Sequence, residues 1–383
     1  MKNEEIWLRR KIRRWLSGLV IIGILSAVSG CSSEVQMEKL PLDIYQEAAE
    51  AHRLSDLETV RRIVYRFGEN GYAAVDSENR IDMVQSQKVL DFCTSVADGK
   101  ESDLSLIQVS YHGGFSVYGF HTRDGLIDVE VRYYGYENGD LIQEESGSYQ
   151  AKSWRYTEDG YLMVSGTYFS EELYALTLSD AEEYLAFRVQ PLDETCREFN
   201  EAYLLPIGYK ENNMFLVDWS EDDFGEMNFY DLYDIFNPKT DAGDFLYSAD
   251  ESTELGPVYH IPGEDFERVI MPYFHMDRDT LQLKTVYDSV NETYEYRPRG
   301  FYETEYPDYP YPEVVGYQEN PDGTITLTIH AVFPYYGNSN VYTHEVTVRP
   351  LGENGVQYVS NEVITPVEKD VFIWHTPRLT TGE

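Results

Sequence analysis

Cysteine is scarce in this 383-residue sequence, with three residues in all and no C-x-x-C pair. That excludes a cysteine-based structural zinc site and a scaffold stapled by several disulfides. Basic residues are also few, 30 Lys and Arg against 68 Asp and Glu, for a formal net charge of −38. Such a surface repels nucleic acid and anionic lipid headgroups, so no nucleic-acid partner is expected. No apolar run reaches the roughly 20 residues of a membrane-spanning helix. Phosphate loops, dinucleotide fingerprints, an H-E-x-x-H pair and a G-x-S-x-G elbow are all missing. The chemistries those patterns serve have no foothold here, and no cofactor is implied.

What is present starts at the N-terminus. Lys2, Arg9, Arg10, Lys11, Arg13 and Arg14 stand against only Glu4 and Glu5, and a nearly uninterrupted apolar run from Trp15 to Val28 follows. A charged start and an apolar segment of this length are the pattern of a secretion signal. Arg9-Arg10 would also suit twin-arginine export, but the usual flanking residues are absent. The run ends at Val28-Ser29-Gly30-Cys31, which resembles the bacterial lipobox. That resemblance implies diacylglyceryl transfer to the Cys31 thiol and cleavage after Gly30, with Cys31 as the lipidation site and membrane lipid as a partner. Two or more acyl chains hold a protein on a bilayer where one does not. The expected location is the extracytoplasmic face of the cell membrane, lipid-anchored.

Residues 1–30 hold six basic and two acidic residues, so their removal leaves 24 against 66 and a net charge of −42. The remaining 353 residues are long enough for about two domains and a substantial core. Only Cys93 and Cys196 remain beside Cys31, which allows one disulfide or none. Tyrosine is abundant, at 33 residues, and most lie in alternating runs suited to half-buried strands.

Periodicity divides the chain into an α+β protein, with helices packed on antiparallel meander sheets in two domains. Residues 31–41 read as a tether, 42–217 as an N-terminal α+β domain, 218–260 as an acidic connection, 261–366 as a C-terminal helix-plus-sheet domain and 367–383 as a tail. Helices are expected over Leu42–Arg53, after a Ser55/Glu58 capping box, and across Met83–Ala97 with Gly99 as its stop. Five strands follow, Leu104–Tyr111, Phe115–His121, Ile127–Tyr134, Ser148–Tyr156 and Tyr161–Phe169. Ser179 and Glu182 form another capping box, and Cys196, Phe199 and Tyr203 share one helical face. Local helix is expected at Phe229–Phe236 and again after Pro262, where Phe266, Val269, Ile270, Tyr273 and Phe274 make an apolar stripe. The prolines of 306–312 favour extended backbone. Asn320-Pro321-Asp322-Gly323 then starts a strand with Ile325, Leu327, Ile329, Ala331 and Phe333 inward, and Val341–Arg349 and Gln357–Ile364 complete that sheet.

The segments MNFYDL at 227–232, GEDFERVIMPYF at 263–274, YRPRGF at 296–301, NPDGTITLT at 320–328 and THEVTVRP at 343–350 resemble an uncharacterised family of lipoproteins from Gram-positive clostridial bacteria. The resemblance implies membrane anchoring and supplies no reaction, ligand or catalytic residue.

Three constellations invite chemistry. His112-Gly113-Gly114-Phe115 has the form of an esterase oxyanion loop, but with no nucleophile elbow it reads as a glycine-bearing hairpin or bulge. His330 and His344 lie on adjacent strands, yet parity points them to opposite faces. Asp218, Glu221, Asp222 and Asp223 offer several oxygens to a calcium ion without matching an EF-hand loop. With no catalytic set legible, the sequence points to a binding or accessory protein at the cell surface, with a surface protein or a glycan as partner. The alternative is a cell-surface hydrolase acting on glycan or wall polymer.

Overall fold

A computed structural model describes residues 37–169, 171–237, 247–250, 256–300, 303, 309–352, 355–365 and 376–378. The signal, Cys31 and most of the tether lie outside the described residues. Helix α1 (Leu42–Glu50) and α2 (Leu57–Glu69) come first, then strand β1 (Ala73–Asp76) and α3 (Ser86–Ala97). In α2, Val60, Ile63, Val64 and Phe67 recur at the spacing of one helical face, and all are fully buried. Its N-cap is Asp56 and no side chain caps it, so the expected Ser55/Glu58 box does not form. Helix α3 stops at Gly99 (φ 70°). There Lys100 N–H donates to Ser95 and Gly99 N–H to Val96, the paired bonds of a Schellman ending.

The expected meander is present and longer than its alternation suggested. Strands β2 (Asp103–Ser110), β3 (Gly114–Arg123), β4 (Leu126–Glu137), β5 (Asp140–Tyr156), β6 (Tyr161–Tyr168) and β7 (Ala181–Arg188) lie in sequence order after β1 in one seven-stranded sheet. All neighbours are antiparallel except β1 and β2, which run parallel. The sheet curls into a half-barrel. Register shifts at Tyr133/Tyr134 and at Ala151/Ser153 add the local bend that such curling needs. One face packs on α1 and α2 through Ile107, Val109, Phe115 and Val117, and the other on α3 through Leu104, Leu106, Tyr118 and Phe120.

The capping box at Ser179 and Glu182 is overturned. A short helix, α4 (Glu171–Thr177), precedes it, and residues 181–188 form β7 with Leu185 and Phe187 turned into the core. Local capping chemistry lost there to cross-strand burial. Helix α5 (Glu194–Phe199) passes into a π-helical turn over Asn200–Leu204. Cys196, Phe199 and Tyr203 therefore sit on two kinds of turn, although the Phe199 and Tyr203 rings still stack at 5.8 Å.

A second sheet has the order β12 (Tyr311–Glu319), β13 (Ile325–Val332), β14 (Thr343–Pro350), β15 (Val356–Val363) and β8 (Trp219–Ser220). A small sheet joins β10 (Tyr287–Asp288), β11 (Thr293–Tyr296) and β9 (Tyr259–Pro262). Helices α6 (Phe229–Phe236), α7 (Gly263–Ile270) and α8 (Arg278–Leu283) pack with these sheets. Their common core reaches from Cys196 to Tyr358 and takes in Trp219, Phe224, Met227, Phe229, Leu232 and Tyr233. The acidic stretch from 218 thus threads its aromatic residues through this core, leaves carboxylates such as Asp222 and Asp223 exposed, and buries Asp231. Helix and strand make up 25% and 39% of the described residues, an α+β protein.

A candidate ligand cleft between the two sheets

The loop after β1 is shaped by Asp76. Its carboxylate accepts the N–H groups of Glu78, Arg80 and Ile81 and the Tyr111 hydroxyl. Held this way, the loop puts Asn79 in the left-handed region (φ 56°), which asparagine tolerates better than most residues. Tyr161 opens β6 and Arg188 ends β7, and these two are direct cross-strand partners. From the second sheet, β12 brings Tyr311 and Glu313.

Glu313 is 2% exposed and is held almost entirely by the other sheet. Its Oε1 accepts the Tyr161 hydroxyl at 2.5 Å and Asn79 Nδ2 at 2.6 Å, and its Oε2 accepts Arg188 at 2.5 Å. The Arg188 guanidinium also lies over the Tyr161 ring, 5.3 Å from its centroid. Burial pushes the Glu313 carboxyl upward, opposed by Arg188, Tyr161 and Asn79. Burial likewise keeps the Tyr161 phenol protonated and able to donate. Arg188 Nε and Asn79 Oδ1 are shielded from solvent and have no hydrogen-bond partner among the described residues.

Over this floor lies a cavity of about 440 Å³, lined by Asn79, Tyr161, Tyr184, Phe187, Arg188, Tyr311 and Pro334 among others. A cavity of that size, largely apolar with a few convergent polar groups, is the usual form of a small-ligand site. A second cavity of about 200 Å³ lies on the other side of the turn Pro334–Tyr336 and is lined by Arg155, Met163, Ser165 and Tyr336. Pro334 lines both cavities.

The other candidates resolve separately. Asp218 accepts Val363 N–H, Glu221 is gripped by both terminal nitrogens of Arg349, and Asp223 accepts Gly225 N–H, while Asp222 is exposed. No group of three or more His, Cys, Asp or Glu residues suited to a metal ion occurs among the described residues, so the calcium candidates do not converge. His344 faces the core with Ile329, its register partner, and is fully buried, whereas His330 faces Asp159 at 3.3 Å on the other side. The strand-parity reading of the two imidazoles agrees with this register. Gly113 and Gly114 make the tight connection of β2 to β3, where a side chain on Gly114 would strike the Tyr134 carbonyl at 2.2 Å. Cys93 and Cys196 are both free and buried, and burial pushes the Cys93 thiol up to about 11. No helix among the described residues is long and apolar enough to cross a membrane.

Sequence reasoning missed the cleft because Asn79, Tyr161, Arg188 and Glu313 are brought together across as many as 234 positions. One signal was available. Glu313 sits between Pro312 and Val314 in a strand, where a charged residue with apolar neighbours needs a buried partner.

These features define an α+β protein in which a half-barrel sheet and a second antiparallel sheet meet at a polar-floored cleft. The model of DUF6070, a family of unknown function, matches residues 31–378, and the chain belongs to that family. No curated protein and no solved structure matches the chain.

Proposed function

We propose that this chain is an extracytoplasmic binding protein, lipid-anchored to the cell membrane through Cys31, that holds its ligand in the cleft between the two sheets. The observation that carries the reading is the cavity of about 440 Å³ walled by Tyr161, Tyr184, Phe187 and Tyr311 where the two sheets meet, above the buried Arg188–Glu313 pair. The buried carboxylates are committed, Glu313 to Arg188, Tyr161 and Asn79, and Asp76 to the loop amides, while Glu78, which also lines the cavity, is about half exposed. A carboxylate so engaged is poorly placed to act as a general acid or base, which favours holding a ligand over hydrolysing it. The anchor rests on the N-terminal signal and the lipobox resemblance, and the clostridial lipoprotein resemblance supports the same location.

Two measurements test the two halves of the proposal. Cells fed a clickable fatty acid should label the wild-type protein and leave Cys31→Ala unlabelled and released from the membrane fraction. Equal labelling of both forms rejects the anchor. A thermal-shift panel of sugars, amino acids, nucleosides and polyamines should stabilise the wild type with at least one class and leave Ala186→Trp, which fills the cavity, unshifted. A panel in which no class shifts the wild type rejects the cleft.

A further inference from the structure

We propose that the cleft takes a neutral oligosaccharide, and that its chain leaves the cavity over the aromatic turn Pro334–Tyr336; this rests on the cleft being the ligand site. Charge decides the class. The cations beneath the cavity are already matched: Arg188 with Glu313 at 2.5 Å, Arg80 with Glu201 at 2.6 Å and Arg197 with Asp82 at 2.6 Å. Asp76 is satisfied by three backbone N–H groups and Tyr111. An anionic ligand would find no free cation there and would meet the field of a chain carrying a net charge of −38. A cationic ligand would find one lining carboxylate outside these pairs, Glu78, which is about half exposed to screening water and stands 4.0 Å from Arg80. What the walls do offer is uncharged hydrogen bonding from Ser77, which is exposed, and Gln108, which is half-buried.

The walls fit the apolar faces of sugar rings. Tyr161, Tyr184 and Tyr311 line the cavity, and aromatic rings present an apolar body with a polar edge. The array continues outward. The Tyr184 ring of the first sheet lies 4.8 Å from Tyr335 of the turn, and Tyr335 lies 5.3 Å from Tyr336. Tyr335 and Tyr336 are 38% and 43% exposed, so the rings form a stepped path from the main cavity towards the one of about 200 Å³. Both sheets contribute to this path, and a chain of linked sugars follows it better than a single compact ligand does.

The test uses the full lipoprotein in detergent, titrated with neutral oligosaccharides of increasing length, with their monosaccharides and with uronic-acid or phosphorylated glycans. Binding of a neutral oligosaccharide should exceed that of its monosaccharide, change little from about 0.05 to about 0.5 M salt, and weaken about fivefold to tenfold in Tyr335→Ala and in Tyr336→Ala. Both positions are exposed enough for the variants to fold, and Tyr335→Phe, which keeps the ring, should retain binding. Preference for charged glycans, or unchanged affinity in both alanine variants, overturns the inference. If another compound class shifts the wild type but not Ala186→Trp while neutral glycans fail, the oligosaccharide falls and the cleft stands. If nothing shifts the wild type, both fall.

Discussion

His344 shows how a single buried polar residue is made tolerable and what it costs at low pH. Asn361 Nδ2 donates to the Val217 carbonyl at 2.8 Å, which turns Asn361 Oδ1 towards His344 Nδ1 at 2.7 Å. An acceptor there assigns the proton to Nδ1, so Nε2 accepts the Tyr209 hydroxyl at 2.8 Å. The imidazole is neutral, satisfied at both nitrogens and flanked by Tyr342 at 5.3 Å. Burial lowers its pKa from 6.5 to about 4. Below pH 6.5 the unfolded chain takes up a proton that the folded chain refuses until about pH 4. Stability from this residue is therefore complete above pH 6.5 and is lost as pH falls towards 4, by about 3 kcal/mol in all. Urea midpoints at several pH values should show this fall in the wild type. His344→Gln, which keeps a donor and an acceptor without titrating, should lose less between the same limits.

At the scale of elements, glycines decide how the half-barrel closes its face. Tyr149 of β5 lies flat across Gly166 of β6, where an added Cβ would sit 2.1 Å from the ring. The Tyr149 and Tyr168 rings stack at 6.1 Å beside this contact. Gly166→Ala should cost about 1–3 kcal/mol as the ring is driven off its seat. In Gly316 of β12 the nearest atom to an added Cβ is 4.0 Å away, so Gly316→Ala should change stability by less than about 1 kcal/mol. Thermal melts of the two variants check the contrast, and equal losses would reject it. Neighbouring elements show why β5 is longer than its pattern: residues 142–146 are exposed, so hydrophobic alternation never marked them. The hairpin at Asn138 and Gly139, with φ of 53° and 88°, nevertheless continues the pairing.

At the scale of the molecule, distant segments are tied by buried ion networks. Arg378, from the segment read as a C-terminal tail, is buried against Asp231 of α6 at 2.8 Å, donates to the Arg297 carbonyl and pairs with Asp234. Arg299 grips both Asp231 oxygens and donates to the Thr376 carbonyl. Removing Arg378 leaves Asp234 without this cation and Asp231 with Arg299 alone at depth. Arg378→Ala should therefore destabilise the fold by about 3 kcal/mol, read as a lower denaturant midpoint. An unchanged midpoint would show that the C-terminal segment is not needed to hold α6.

By itself the sequence determined the local periodicities: the α+β class, the meander from β2 to β6, the helices at 229–236 and 263–270, and the inward row of β13. These are short-range patterns of apolar spacing and turn chemistry, readable within a few residues. It could not show that β8 completes a sheet begun near residue 311, or that Ala181–Arg188 is strand despite its capping box, because pairing partners outweighed local preference. Nor could it show the cleft. Arg188 beside Glu313 is neutral at depth and Arg188 alone is not, and only the approach of the two sheets brings them together.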